Sequence, residues 1–162
     1  MLNQTRTSPV RLGTPYGLAV GAVLAGFLLL MTAKYLSFDT RTETFLATLE
    51  TGFRLRMRVF LAVVRFTLGL EPYPNSARRT AAQQAALHQQ DKRNPAPNIE
   101  RPDVHMMGIA LDLNFMKDGK LVLLKGSGAA AWAPVVRIAD LFSLTWGGRF
   151  TGYPDNNHFD GR

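Results

Sequence analysis

Apolar positions along the chain follow different periods in different stretches, and each period predicts an element. Residues 16–33, YGLAVGAVLAGFLLLMTA, carry no charge, with Arg6 and Arg11 before them and Lys34 after. As a helix this run extends about 27 Å, close to a bilayer core of about 30 Å. A buried core helix of that character is uncommon at the N-terminus of so small a domain. A cleavable signal should end in a small-x-small site, and Met31-Thr32-Ala33 is a poor version of one. The run therefore predicts an uncleaved transmembrane signal anchor over 16–36, behind a cytoplasmic segment at 1–15. Gly17 and Gly21 form a GxxxG, with Ala22 and Gly26 repeating the small spacing, so two such helices could associate, although chance glycines read equally well.

Beyond the run, apolar residues at 46, 49, 53, 57, 60, 61, 64 and 68 keep to one helical face, predicting a helix over 43–69 with Glu50 and Arg54 as an i, i+4 pair. EPYPNS (71–76) breaks the helix with two prolines and turn formers. Thr80-Ala-Ala-Gln83 has the form of a capping box and opens a short helix to about Gln90, and the proline-rich 91–103 reads as a loop. From Met107 to Asn114 the period changes to two, predicting a strand with Ile109, Leu111 and Leu113 on the core face and Asp112 on the other. Asp118-Gly119 is a hairpin signal that returns the chain as KLVLL (120–124). After a flexible GSGAAA, residues 132–144 read as a helix, and WGG (146–148) opens an irregular tail. There are no internal repeats. The pattern predicts a small α+β domain over 37–162, helices packed on a short antiparallel sheet.

Composition narrows the chemistry. The chain lacks cysteine, so disulfides and thiolate metal sites are excluded and any metal must be held by His, Asp or Glu. A net charge of +7 suits nucleic acid, acidic lipid or a polyanionic envelope. The basic RLRMR (54–58) lies inside an apolar-periodic segment and no nucleic-acid-binding signature is present, so no nucleic-acid partner is expected.

With 3 histidines in the chain, their surroundings matter. HMMGIALD (105–112) separates His105 from Asp112 by a distance of about 23 Å if extended and about 10 Å if helical. The two can act at one point only if the chain bends between them, and Gly108 is the residue best able to bend. A second polar cluster, YPDNNHFD (153–160), places Asp155 and His158 three apart, on one side of a tight turn. A catalytic zinc takes three protein ligands and leaves a position for water. The inventory fits His105, Asp112 and His158 as ligands with Asp155 handling a proton, but isolated histidines are more often surface or packed residues, and spacing leaves both readings open.

The wording of these segments goes further. HMMGIALD resembles the H-x-x-G-x-A-x-D element of the M15 zinc metallopeptidases, the D-Ala-D-Ala carboxypeptidase and L-alanyl-D-glutamate peptidase family. SARRTAAQQAALH (76–88) is similar to that family's S-G-Y-R-T-x-x-x-Q-x-x-L segment, and LTWGGRF…DNNHF (144–159) to its L-x-W-G-G…D-x-x-H-F. The motifs occur in the family's order over roughly residues 44–160. The resemblance implies zinc ligation by His105, Asp112 and His158, an acid/base role for Asp155, and for Arg79 a grip on substrate or on the developing oxyanion. The Trp-Gly-Gly wording together with Asp155 looks more like the L-alanyl-D-glutamate branch, many of whose members are phage endolysins.

Two positions depart from the family pattern: Asp103 stands where serine is usual, two residues before the first histidine, and Ala77-Arg78 replaces Gly-Tyr ahead of Arg79. His88 has no place in the motifs and reads as a surface residue. The expectation is a bacterial or phage-encoded, membrane-anchored zinc peptidase of peptidoglycan stem peptides, its domain facing the periplasm or cell exterior. The alternatives are a D-Ala-D-Ala carboxypeptidase and a non-catalytic, membrane-anchored protein that binds cell wall.

Overall fold

The computed structural model of the chain describes residues 34–162. The segment at 1–15 and all but the last three positions of the expected anchor lie outside the described residues. Among the described residues no helix is long and apolar enough to cross a membrane. Among the described residues from Thr40 onward there are five helices, a five-stranded antiparallel sheet and one 3-10 turn, and the α+β expectation holds.

The apolar face at 43–69 folds as two helices, α1 (Thr40–Ala47) and α2 (Thr51–Leu68), rather than one. The break comes at Glu50, whose carboxylate accepts from the N–H groups of Gly52 and Phe53 and so caps the second helix. Glu50 thus serves the backbone rather than the expected pair with Arg54, whose guanidinium turns to Thr51. The apolar positions still share one face: Leu46, Leu49, Phe53, Met57, Phe60, Leu61 and Val64 are all in the core.

EPYPNS, expected as a break, is strand β1 (Glu71–Ser76), the edge strand beside β2 (Ala110–Lys117). An edge tolerates proline because one side of the strand needs no N–H donor. Pro72 and Pro74 occupy that side: their carbonyls accept from the Thr42 hydroxyl (3.4 Å) and from Arg41 Nε (3.0 Å). Asp118 and Gly119, both at positive φ, close the hairpin from β2 to β3 (Lys120–Leu123) as expected. Helix α3 (Ala81–Gln90) carries the full capping box of Thr80 and Gln83.

The last third is more regular than the sequence suggests. Helix α5 (Ala129–Leu141) takes in the alanines that read as flexible linker. In the tail read as irregular, β4 (Thr145–Trp146), a 3-10 turn (Gly147–Arg149) and β5 (His158–Asp160) complete the sheet. β2 is its centre. β1 runs along one edge, while β5 and β3 share the other, pairing with residues 110–112 and 115–117 respectively.

Leu111, Leu113 and Phe115 alternate on one face of β2, fully buried with Phe159 of β5 against the apolar faces of α2 and α5. Ile109 is only partly buried, just ahead of the strand. The Phe60 ring meets Phe159 and Phe142 at centroid distances of 5.5 and 6.2 Å, and Trp132 meets Phe115 and Phe159 at 6.0 Å each. Polar residues of β2 and β5 therefore collect on the opposite face. Phe60→Ala should leave a cavity behind the sheet and cost about 3–5 kcal/mol. A shift of the denaturant midpoint at unchanged slope would show it; a midpoint within error of the parent would mean that this ring does not hold the helix to the sheet.

Candidate metal centre and active site

The bend required of HMMGIALD is present. Helix α4 (Val104–Met107) carries His105, and Gly108 ends it at φ 76°, a conformation that costs a residue with a Cβ. A Cβ there would also sit 3.1 Å from the Glu50 backbone nitrogen. The chain then enters β2 within two residues and reaches Asp112. Asp103, at the serine position, caps α4 through Oδ1 to the Met106 N–H at 2.9 Å, a job serine and aspartate do equally well. Its Oδ2 is buried with no partner.

The second histidine arrives by strand pairing. In the β2–β5 register Asp112 lies opposite His158, and Asp160, two residues further on, projects on the same side. Among the described residues, His105, Asp112 and His158 form the cluster able to hold a metal ion. His105 Nε2 is 3.2 Å from Asp112 Oδ1 and 3.3 Å from His158 Nδ1, and His158 Nδ1 is 3.0 Å from the same oxygen. A tetrahedral zinc with ligand bonds near 2.0–2.1 Å separates its ligands by roughly 3.3–3.4 Å, so the triangle is close to that size.

Each ligand is also held from behind. His105 Nδ1 donates to the Ala77 carbonyl at 2.7 Å, which fixes the tautomer that leaves Nε2 for a metal. His158 Nε2 donates to Asp160 Oδ2 at 3.0 Å, and Asp112 Oδ2 accepts from Arg79 Nη2 at 2.8 Å. Asp160 is completely buried and is gripped in turn by the Arg162 guanidinium at 2.8 Å. Arg79 is itself fixed, Nε to the Ser76 hydroxyl (2.9 Å) and Nη1 to Gln84 (3.3 Å). These partners orient the donors before any ion is bound, and donor set, size and orientation all fit a metal site.

The electrostatics agree. Burial pushes the Asp112 carboxyl up, but the two imidazoles beside it outweigh it and hold the group well below the ordinary carboxylate range. Burial works against a charged His158, yet Asp112 and Asp160 raise it to about 9. Metal binding therefore competes with a proton on His158.

Asp155 lines the same cleft, a cavity of about 580 Å³ that also includes Arg79, Arg93, Lys125, Tyr153 and Arg162. Its backbone N–H donates to the Gly147 carbonyl (2.9 Å) and its own carbonyl accepts from the His158 N–H (3.2 Å), the tight turn expected from the three-residue spacing. Its Oδ2 accepts from Lys125 Nζ at 2.7 Å, while Oδ1 is buried with no partner. Gly147 and Gly148 make this possible. A Cβ on Gly147 would lie 2.5 Å from the Asp155 carbonyl oxygen and 2.8 Å from the His158 Cβ, and one on Gly148 would lie 2.2 Å from the Trp146 ring.

All five expected site residues thus border one cleft. Sequence reasoning missed Asp160 and Lys125. Asp160 had a signal in His158-x-Asp160, an imidazole and a carboxylate on one face of a strand; Lys125 had none, being one lysine in a turn. His88 is a correction: it is half-buried and its Nδ1 donates to the Asn94 carbonyl at 2.7 Å, so it fastens the 91–103 loop to α3 rather than facing solvent.

Residues 103–161, the stretch with both histidines and all three aspartates of the site, match the M15 family model described as D-alanyl-D-alanine carboxypeptidase. Over these residues the chain is similar to the M15 peptidases. The fold is similar to that of the L-Ala D-Glu endopeptidase ChiX from Serratia marcescens, with a TM-score of 0.58 and 21% identity over 77% of this chain and 89% of that one. No curated protein matches the chain.

Asp160→Asn keeps the shape of the site but removes the charge behind His158. It should weaken metal affinity roughly 10- to 100-fold. Competition against a chromogenic chelator measures this, and an unchanged affinity would show that Asp160 serves only to bind Arg162.

Proposed function

We propose that this M15-like domain is a zinc-dependent peptidase of peptidoglycan stem peptides, cutting between L-Ala and D-Glu. The observation that carries the reading is the triangle of His105, Asp112 and His158, each braced from behind, on a cleft shared with a carboxylate whose Oδ1 has no partner. A zinc ion held there supplies Lewis-acid polarisation of the scissile carbonyl and a water acidic enough to lose a proton near neutral pH. Asp155 Oδ1 accepts that proton and returns it to the leaving amine. Arg79 has five N–H donors, of which three are engaged with Ser76, Gln84 and Asp112. The other two are available to the charge that appears on the carbonyl oxygen in the transition state.

Among the M15 activities, two observations favour internal cleavage over removal of a terminal D-Ala. The fold resembles a protein described as an L-Ala D-Glu endopeptidase. A carboxypeptidase also needs a cation for the substrate's terminal carboxylate, and here Arg93, Lys125 and Arg162 in the cleft are each paired with a carboxylate of the chain, while the remaining donors of Arg79 are assigned to the carbonyl oxygen. The family description as D-alanyl-D-alanine carboxypeptidase keeps the terminal cut as the second reading. The charge-free run at 16–33 supports tethering at the inner, cytoplasmic membrane with the domain facing the periplasm or cell exterior, where its substrate lies.

Digestion of purified muropeptides, read by mass spectrometry, separates the readings. Products split between L-Ala and D-Glu establish the endopeptidase, release of free D-Ala establishes the carboxypeptidase, and bound zinc with no cleavage of either bond would leave a cell-wall-binding role. Asp155→Ala should keep its zinc and lose about 10²- to 10⁴-fold in kcat. His105→Ala should lose the zinc itself. Full turnover in either variant would overturn the assignment.

A further inference from the structure

The ammonium of Lys125 is the nearest charged partner of Asp155, 2.7 Å from Oδ2, and the surroundings distinguish this pair from an ordinary surface contact. An exposed ion pair contributes little and needs no scaffold. Here the carboxylate is 19% exposed and both backbones are tied together beside it. Lys125 follows β3 in a turn closed by the Ser127 N–H to the Leu124 carbonyl (2.9 Å) and by the Leu124 N–H to the Ser127 hydroxyl (3.0 Å). Asn156, the residue after Asp155, donates through Nδ2 to the Ser127 carbonyl at 2.7 Å. The fully buried Trp132 donates through Nε1 to the Leu124 carbonyl at 3.3 Å, fixing the same turn to the core. The Tyr153 ring lies 5.6 Å from Nζ on the other side.

Asp155 therefore has one oxygen occupied and one not. Oδ1 is buried without a partner, a costly state for a carboxylate oxygen unless water or a reacting group meets it. A carboxylate held at neither oxygen could turn about χ2 and tilt its plane away from the cleft. The contact at Oδ2 opposes that turn.

We propose that Lys125 is a positioning residue for the peptidase: its ammonium holds Asp155 by Oδ2 so that Oδ1 stays presented to the attacking water. The inference rests on the peptidase reading, in which Asp155 carries the proton. Lys125 forms no bond to substrate in this account. Its effect falls on the chemical step rather than on substrate binding.

The test uses the full zinc-loaded chain with muropeptide substrate. Lys125→Met should lower kcat at least about tenfold, as displaced catalytic groups do, with KM within about twofold and bound zinc unchanged. Lys125→Arg, which keeps the charge, should recover most of the loss. In an Asp155→Asn background, Lys125→Met should cost nothing further, because the two act as a unit. An unchanged kcat, a loss confined to KM, or an equal further loss in the Asp155→Asn background would overturn the proposal. If the parent protein cleaves no stem peptide, the peptidase reading itself fails. Crystal structures of the zinc-loaded parent and Lys125→Met then decide the positioning role: an Asp155 carboxylate that turns in the variant supports it, and the same orientation in both overturns it.

Discussion

The pairing of β2 with β5 is the constraint on which the site depends. It sets Asp112 opposite His158 and Ala110 opposite Asp160, so one member of the His105–Asp112–His158 cluster from each strand and a supporting carboxylate share one face. The same register puts Leu111 against Phe159 on the other face, both fully buried. Side chains alternate along a strand, so a slip of β5 by one residue against β2 would send His158 and Asp160 into the core and Phe159 into the cleft. The hydrophobic core therefore enforces the geometry of the polar site. β5 is only three residues long, and the chain fixes it further with the Gly161 N–H to the Ile109 carbonyl and the Leu113 N–H to the Asn157 carbonyl.

Packing two aspartates and two histidines at this depth is costly unless each charge finds a partner. The arrangement alternates signs outward from the centre: Arg162 holds Asp160, Asp160 holds His158, and both imidazoles and Arg79 hold Asp112. Without an ion, a proton on His158 supplies the positive charge that Asp112 and Asp160 require. A divalent cation would supply it better, from the centre of the triangle, and the outer arginines would still balance the carboxylates behind. The pairs around the site thus hold its side chains in place without an ion.

Much of this was legible in the sequence wherever one local rule decided the outcome. The Leu111–Leu113 alternation, the Asp118-Gly119 hairpin, the Thr80–Gln83 capping box and the bend at Gly108 all appear where the residues predict them. Features that depend on distant partners were not legible. Pro72 and Pro74 signal a break until it is known that their strand lies at an edge, with Thr42 and Arg41 waiting at their carbonyls. Glu50 looks like a partner for Arg54, but the start of a helix offers it two backbone N–H groups instead. β4 and β5 are too short to show a period, and only pairing with β2 makes them strands. His88 and Lys125 take their roles from loops that fold back onto them.

The Trp-Gly-Gly stretch shows how a motif can be read as sterics rather than as chemistry. Neither glycine has a functional group, yet neither tolerates a Cβ. Gly147 must let the Asp155 backbone and the His158 side chain approach closely, because its carbonyl receives the Asp155 N–H at 2.9 Å. Gly148 lies against the indole of Trp146, whose Nε1 donates to the Asn156 carbonyl at 2.7 Å. The 3-10 turn thus serves as a flat surface on which the 155–158 turn rests, with Trp146 as its fastening. Asp155 and His158 are both delivered from that turn, so the separation between their side chains is set by how closely two stretches of backbone can pack. Glycine is the residue that lets them pack this closely, which is why residues without chemistry of their own belong to the motif that builds the cleft.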